Sequence, residues 1–101
     1  MPRSKPLTIL LSNTADVGIQ NIANYLASRF SATLALNYID ALGAAFEMLA
    51  RMPDVGVVYK GAIRKLIWKK YTLIFYKHDG QFIYITNVED SRSNYSLKFL
   101  S

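Results

Sequence analysis

Tyr71-Thr72-Leu73-Ile74-Phe75-Tyr76-Lys77-His78-Asp79-Gly80-Gln81-Phe82-Ile83-Tyr84-Ile85-Thr86-Asn87-Val88 sets two β-branched and aromatic runs on either side of an Asp-Gly pair. That dipeptide, between runs of this kind, is a strong short-range hairpin signal. The stretch therefore predicts strands over 71–77 and 82–88 joined by a two-residue Asp79-Gly80 turn. In that register Tyr76 faces Ile83, Ile74 faces Ile85 and Thr72 faces Asn87. Tyr71, Leu73, Phe75, Phe82, Tyr84 and Val88 then share the opposite side. Both sides are apolar. One needs a helical layer over it, and the other is left for the C-terminal segment or a partner.

The residues upstream supply that layer. Leu7-Thr8-Ile9-Leu10-Leu11 reads as a first strand, after a lead-in over 1–6 that holds two prolines and little apolar mass. Ser12 or Asn13 can cap a helix, with Asp16 favourable in its first turn. Ala15, Ile19, Ile22, Leu26 and Phe30 recur at helical spacing down to about Arg29. Gly18 costs this helix about 1 kcal/mol relative to alanine. Ser31 caps a second helix with an apolar stripe of Ala35, Ile39, Leu42, Phe46 and Leu49, flanked by Tyr38 and Ala45. It stops at Met52, because Pro53 disfavours helical backbone in the residue before it. Helices joined so closely form an antiparallel hairpin. Residues 53–56 read as a turn, 57–61 as a loop, 63–68 as a further strand and 91–100 as a short terminal helix. The expectation is one α+β domain over 1–101, in which a first strand and a helix hairpin pack on a small antiparallel sheet of about four strands.

Composition narrows the chemistry. At 101 residues, 51% hydrophobic and 19% charged, the chain is long enough to bury roughly two thirds of its unfolded surface. It has no cysteine and a single histidine, which removes thiol chemistry, cysteine-ligated zinc and multi-histidine metal sites. No apolar run approaches a membrane span, and the start has no signal-peptide character, so a soluble cytoplasmic protein is expected. The formal charge of +5 is concentrated. Lys60, Arg64, Lys65, Lys69, Lys70 and Lys77 lie in the acid-free stretch from Val55 to His78. Such a cluster suits an acidic peptide or a nucleic acid, and a plainer reading is solvated lysines guarding sheet edges.

Few residues invite a catalytic reading. His78 sits at the predicted hairpin tip, where loop polarity accounts for it and no pocket serves a general base. Arg92 and Tyr95, just past the last strand, can hold a phosphate and move a proton. Equally, Tyr95 can pack on the sheet while Arg92 pairs with Glu89 or Asp90. Glu89 and Asp90 point to opposite sides of an extended chain, which makes a poor carboxylate pair. Trp68 and the seven tyrosines can stack bases or fill core. A Gly-rich phosphate loop and a Ser-His-Asp set are both missing.

The order strand, helix hairpin, antiparallel strands comes with particular words. Leu11-Ser12 opens the first helix, and Ile22-Ala23-Asn24-Tyr25-Leu26-Ala27-Ser28-Arg29-Phe30 closes it. Ala35-Leu36-Asn37-Tyr38-Ile39-Asp40 leads to Leu49-Ala50-Arg51-Met52-Pro53-Asp54-Val55-Gly56. Tyr71-Thr72-Leu73-Ile74-Phe75-Tyr76 precedes the hairpin and Arg92-Ser93-Asn94-Tyr95 follows it. From about Leu7 to Leu100 this resembles a toxin of the RelE/ParE superfamily of bacterial type II toxin–antitoxin modules.

The resemblance implies a growth-inhibiting, plasmid-stabilising toxin with no cofactor and no metal, neutralised by a cognate antitoxin that wraps it with a helix and an extended segment. RelE-like members cleave messenger RNA on the ribosome; ParE-like members poison DNA gyrase. The RelE pattern places an arginine where this chain has Thr72. Many ParE-like chains read histidine, glycine, arginine, arginine, aspartate, tyrosine where this one reads Asp90 through Tyr95. Arg92 and Tyr95 match, whereas Asp90 and Ser93 depart. The ParE-like branch is expected, with DNA gyrase as partner and no catalytic residue. Charge and position, rather than a family motif, nominate Arg64, Lys65, Lys69, Lys70, Arg92 and Tyr95 for target binding. In the alternative, ribosome-dependent cleavage of messenger RNA, Lys65, Lys69, Arg92 and Tyr95 would bind phosphate and assist proton transfer. A diverged, non-toxic relative is the third reading. Without its antitoxin the toxin is expected to self-associate, as a homodimer, through the surface left bare.

Overall fold

The computed structural model describes residues 5–91. The chain runs β1 (Thr8–Leu11), α1 (Asn13–Arg29), α2 (Ala32–Arg51), β2 (Val57–Lys60), β3 (Ile63–Trp68), β4 (Thr72–His78) and β5 (Phe82–Asp90). The helices start where side chains satisfy their first free amides. The Ser12 hydroxyl accepts from Ala15 N at 2.9 Å, and that of Ser31 from Leu34 N at 3.0 Å. Pro53 follows the Met52 cap and ends α2.

The sheet is larger than the sequence suggests and is mixed rather than antiparallel. Five strands lie in the order β1-β5-β4-β3-β2, with β1 parallel to β5. Residues 57–60, read above as loop, form the edge strand β2 against β3. Four exposed residues beside a glycine carry little strand pattern, and it is pairing with β3 that makes them a strand. β1 is drawn in by Leu7 N, which donates to Ala50 O at 3.0 Å, and Thr8 N, which donates to Gln81 O at 3.1 Å. The expected terminal helix over 91–100 falls largely outside the described residues.

The hairpin forms, but in a different register. Asp79 lies before the turn, not within it: its carboxylate accepts from Gln81 N and Phe82 N, each at 2.9 Å. The two loop positions are thus Gly80 and Gln81. Gly80 takes φ of 115°, a conformation only glycine adopts easily. Tyr76 then pairs with Ile85 rather than Ile83. A bulge follows at Thr86, whose hydroxyl donates to Phe75 O at 3.1 Å. Beyond the bulge Ile74 pairs with Val88, and Thr72 with Asp90. Val88 therefore turns to the helix side, where it is buried, and Asn87 turns away.

Packing of α1 explains a glycine that propensity alone counts as a defect. A Cβ on Gly18 would collide with the carbonyl oxygen of Val88. The helix reaches β5 this closely only because that atom is missing. Ser12 locks the same junction, since its hydroxyl also donates to Thr86 O at 2.7 Å. Leu42 and Leu49 from α2 meet Ile74, Tyr76, Ile83, Ile85 and Val88 from the sheet in the core. Phe30 and Ile39, assigned to the helix stripes by spacing, are exposed instead.

Candidate partner-binding site

One end of the molecule is tied down by polar contacts. The Tyr76 hydroxyl, inside the core, donates to Pro53 O and accepts from Gly56 N, both at 2.8 Å. Burial raises its pKa above the usual phenol value, outweighing the Gly56 amide and the nearby Arg64, which favour the phenolate. Arg64 sits opposite Tyr76 on β3 and donates through Nη1 to Gly56 O at 2.7 Å. Its Nη2 lies 3.4 Å from the Asp54 carboxylate. His78 Nε2 meets the same carboxylate at 2.8 Å. His78 is thus part of a clamp on the connection from α2 to β2.

Among the described residues, the other end is open. Between β3 and β4 the chain turns through Lys69 and Lys70, both left-handed, with φ of 50° and 76°. For residues with a Cβ each such conformation costs roughly 1–2 kcal/mol. Tyr71 N donates to Lys69 O at 2.8 Å across the turn. The Lys69 ammonium lies 5.3 Å from the Trp68 ring centroid and that of Lys70 5.5 Å from Tyr71. Beside this turn is a groove of about 380 Å³ lined by Ile22, Leu26, Phe30, Leu34, Asn37, Tyr38, Ala41, Trp68 and Lys69. Phe30, at its rim, is 66% exposed. Tyr38 forms the floor: its ring is 6.0 Å from Trp68, and its hydroxyl is 2.8 Å from Thr72 Oγ1.

Among the described residues, the sheet face away from the helices is a second bare surface. Tyr59 and Phe75 meet edge to face at 5.0 Å, and the Lys65 ammonium sits 5.4 Å from Tyr59. Lys77 sits 5.7 Å from the Tyr84 ring, and Leu10 pairs beside Tyr84. At the hairpin tip, bonds from Phe82 N and Gln81 N, and from Tyr84, hold the Asp79 carboxyl below its usual range.

The cationic patch nominated by charge divides three ways. Arg64 and Lys65 are neighbours on one strand and so point to opposite faces. Arg64 is spent in the clamp, Lys65 stands on the bare sheet face, and Lys69 and Lys70 occupy the turn. Arg92 and Tyr95 lie outside the described residues. Thr72, where the RelE pattern places an arginine, is only 4% exposed and faces the helices. An arginine there would meet Tyr38 before any substrate.

Spacing alone missed the groove. Phe30 follows the helical repeat, but the chain leaves α1 at that residue, so its ring ends beyond the core. Among the described residues no helix is long and apolar enough to cross a membrane.

Comparison with known proteins agrees with this architecture. A family model described as the ParE toxin of the type II toxin–antitoxin system parDE matches residues 9–95. No curated protein matches the sequence. Among solved structures, a chain from the "Chromosomal ParDE TA system from P. aeruginosa" superposes with a TM-score of 0.73 at 12% identity, covering 83% of this chain and 95% of that one. At such identity the likeness is one of fold.

Proposed function

Since this chain belongs to the ParE toxin family, and is thereby the toxin of a type II toxin–antitoxin module, we propose that it inhibits DNA gyrase by binding, with no catalysis of its own. The family match over residues 9–95 carries this reading. Two arrangements support contact over cleavage. Thr72 presents a buried hydroxyl bonded to Tyr38 where the nuclease branch carries a cation. Lys65 and Lys69, which would share a phosphate in a nuclease, lie over different rings, Tyr59 and Trp68.

Membership in the family implies a cognate antitoxin. Its helix is assigned to the helix hairpin and the groove, and its extended segment to the sheet face with Tyr59, Phe75 and Tyr84. An acidic segment there would meet Lys65 and Lys77. Gyrase contact is assigned to Lys69 and Lys70 on the open turn, with Lys65, Arg92 and Tyr95 as further contacts. Gyrase places the site of action in the cytoplasm. Without antitoxin the same apolar surfaces favour a homodimer.

The test is a gyrase supercoiling assay with purified protein, scored for lost supercoiling and for trapped cleaved DNA. Inhibition relieved by the neighbouring gene's product is the expected result. No effect at micromolar protein, together with cleavage of messenger RNA on ribosomes, would replace the proposal by the nuclease reading. Silence in both assays would indicate a non-toxic relative.

A further inference from the structure

The groove beside Trp68 is a channel between the two helices. Ile22, Leu26 and Phe30 recur every four residues along α1 and its cap, and Leu34, Tyr38 and Ala41 line it from α2. That spacing keeps side chains on one helix face, and from Ile22 to Phe30 it covers roughly 12 Å of helix axis. Ile22 and Leu26 are buried, whereas Phe30 and Leu34 are exposed. The volume of about 380 Å³ is that of a site for one small ligand. Polar side chains in the lining are few, and their chemistry has one sign. The Tyr38 hydroxyl is bonded to Thr72 Oγ1. The Lys69 ammonium donates and cannot accept, and the Asn37 amide can donate. Among the described residues, neither an acid nor a second cation lines the groove. Lys69 is also held in place, by a left-handed backbone with φ of 50° and by an ammonium 5.3 Å from the Trp68 ring centroid. A cation against an aromatic wall attracts an anion more strongly than one surrounded by water.

We infer that this groove binds a small amphiphilic anion, an acyl carboxylate whose chain lies in the channel between the helices and whose head group meets Lys69 and Asn37. Shape and charge together select this occupant. The elongated apolar walls remove a hydrocarbon chain from water, and the donors at the rim suit a carboxylate. An uncharged body of the same length gains nothing from Lys69, and a cationic one is repelled by it. A second copy of this chain, at +5, brings like charge to the same rim. Because the antitoxin helix is assigned to this groove, ligand and helix exclude one another. That consequence rests on the proposed function; the binding itself does not.

Trp68 is the single tryptophan of the chain and reports on the groove directly. Titration with decanoate, kept below its micelle concentration, should move Trp68 emission to shorter wavelength and saturate. Decyltrimethylammonium, with the same chain and the opposite charge, should bind weaker by about tenfold or more. Lys69→Glu should weaken decanoate binding about tenfold. Lys60→Glu makes the same charge change at an exposed position on β2, where salt screens it, and should leave affinity within about twofold. Ala41→Phe fills the channel and should abolish saturation. No saturable shift, equal affinity for the two amphiphiles, or a Lys69→Glu effect no larger than that of Lys60→Glu overturns the proposal. Decanoate at about ten times its Kd should also weaken binding of the neighbouring gene's product about tenfold. Undiminished binding of that product overturns the mutual exclusion. A product that does not bind the protein at all counts against the proposed function, and the decanoate titration on the free protein still decides the ligand.

Discussion

The two ends of the sheet handle their polar groups and apolar surface in opposite ways. At the end with the connection from α2 to β2, Arg64 bonds to Gly56 O and Asp54, His78 bonds to the Asp54 carboxylate, and the buried Tyr76 phenol satisfies two backbone groups at once, Gly56 N and Pro53 O. At the end with the turn from β3 to β4, two lysines hold left-handed backbone, and Phe30 stands out of the core beside an open groove. One end consumes its functional groups to hold the fold. The other keeps them available at a cost in stability. An end that is strained, apolar and cationic is the one a partner can recognise.

The largest effect expected is at the clamp. Tyr76→Phe removes the hydroxyl that serves Gly56 N and Pro53 O, and leaves both short of a partner in a tight interior. Stability should fall by about 2–3 kcal/mol, read from urea unfolding. The same group gives the parent protein a pH signature. Burial holds the phenol neutral, with a pKa above its ordinary value of 10.0. Its contribution is therefore complete below that pH and declines as pH rises past it. Tyr76→Phe should unfold with a shallower alkaline decline than the parent. An unchanged midpoint in urea would show that the clamp does not hold this end, and the contrast between the two ends would fail.

Next in size is a change at the open end. Phe30→Ser removes an exposed ring, so stability should stay within about 0.5 kcal/mol of the parent. Affinity for the cognate antitoxin should drop about tenfold, near 1.4 kcal/mol, as for a moderate interface anchor. Titration calorimetry beside a urea curve separates the two quantities. A loss of stability with unchanged affinity would return Phe30 to the core and make the groove a packing feature.

The same contrast explains what could be read from the residues alone. Helix boundaries were legible because Ser12, Ser31 and Pro53 act through backbone groups within a few positions. The existence of the hairpin was legible for the same reason, from Asp79-Gly80. Its register was not. Asp79 bonds forward to Gln81 and Phe82, which moves the turn by one residue, and the bulge at Thr86 is fixed by contacts with Ser12 and Phe75 far away in sequence. β2 exists through its pairing with β3, and β1 was legible as a strand, but its parallel place beside β5 depends on a partner far along the chain. For the candidate site, charge found the acid-free stretch, but strand alternation sent Arg64 and Lys65 to opposite faces. The groove depends on where α1 ends relative to Trp68, a tertiary distance that no local pattern encodes.

The smallest effect sharpens the comparison most. In Lys69→Gly, relief of left-handed backbone returns about 1–2 kcal/mol. Glycine's greater freedom in the unfolded chain takes back about 0.5–1 kcal/mol, and the lost contact with Trp68 roughly another 0.5 kcal/mol. The balance therefore runs from about 0.5 kcal/mol of loss to about 1 kcal/mol of gain, centred slightly on the stable side. Inhibition of gyrase should nevertheless weaken, because the turn loses a cation. Arg64→Ala supplies the opposite case: a cation bonded to Gly56 O and Asp54, whose removal should lower stability first. Unfolding curves and supercoiling assays on the two variants then test the division directly. If Lys69→Gly unfolds more easily and inhibits as well as the parent, the strained turn is a structural element and the open end has no claim to the target.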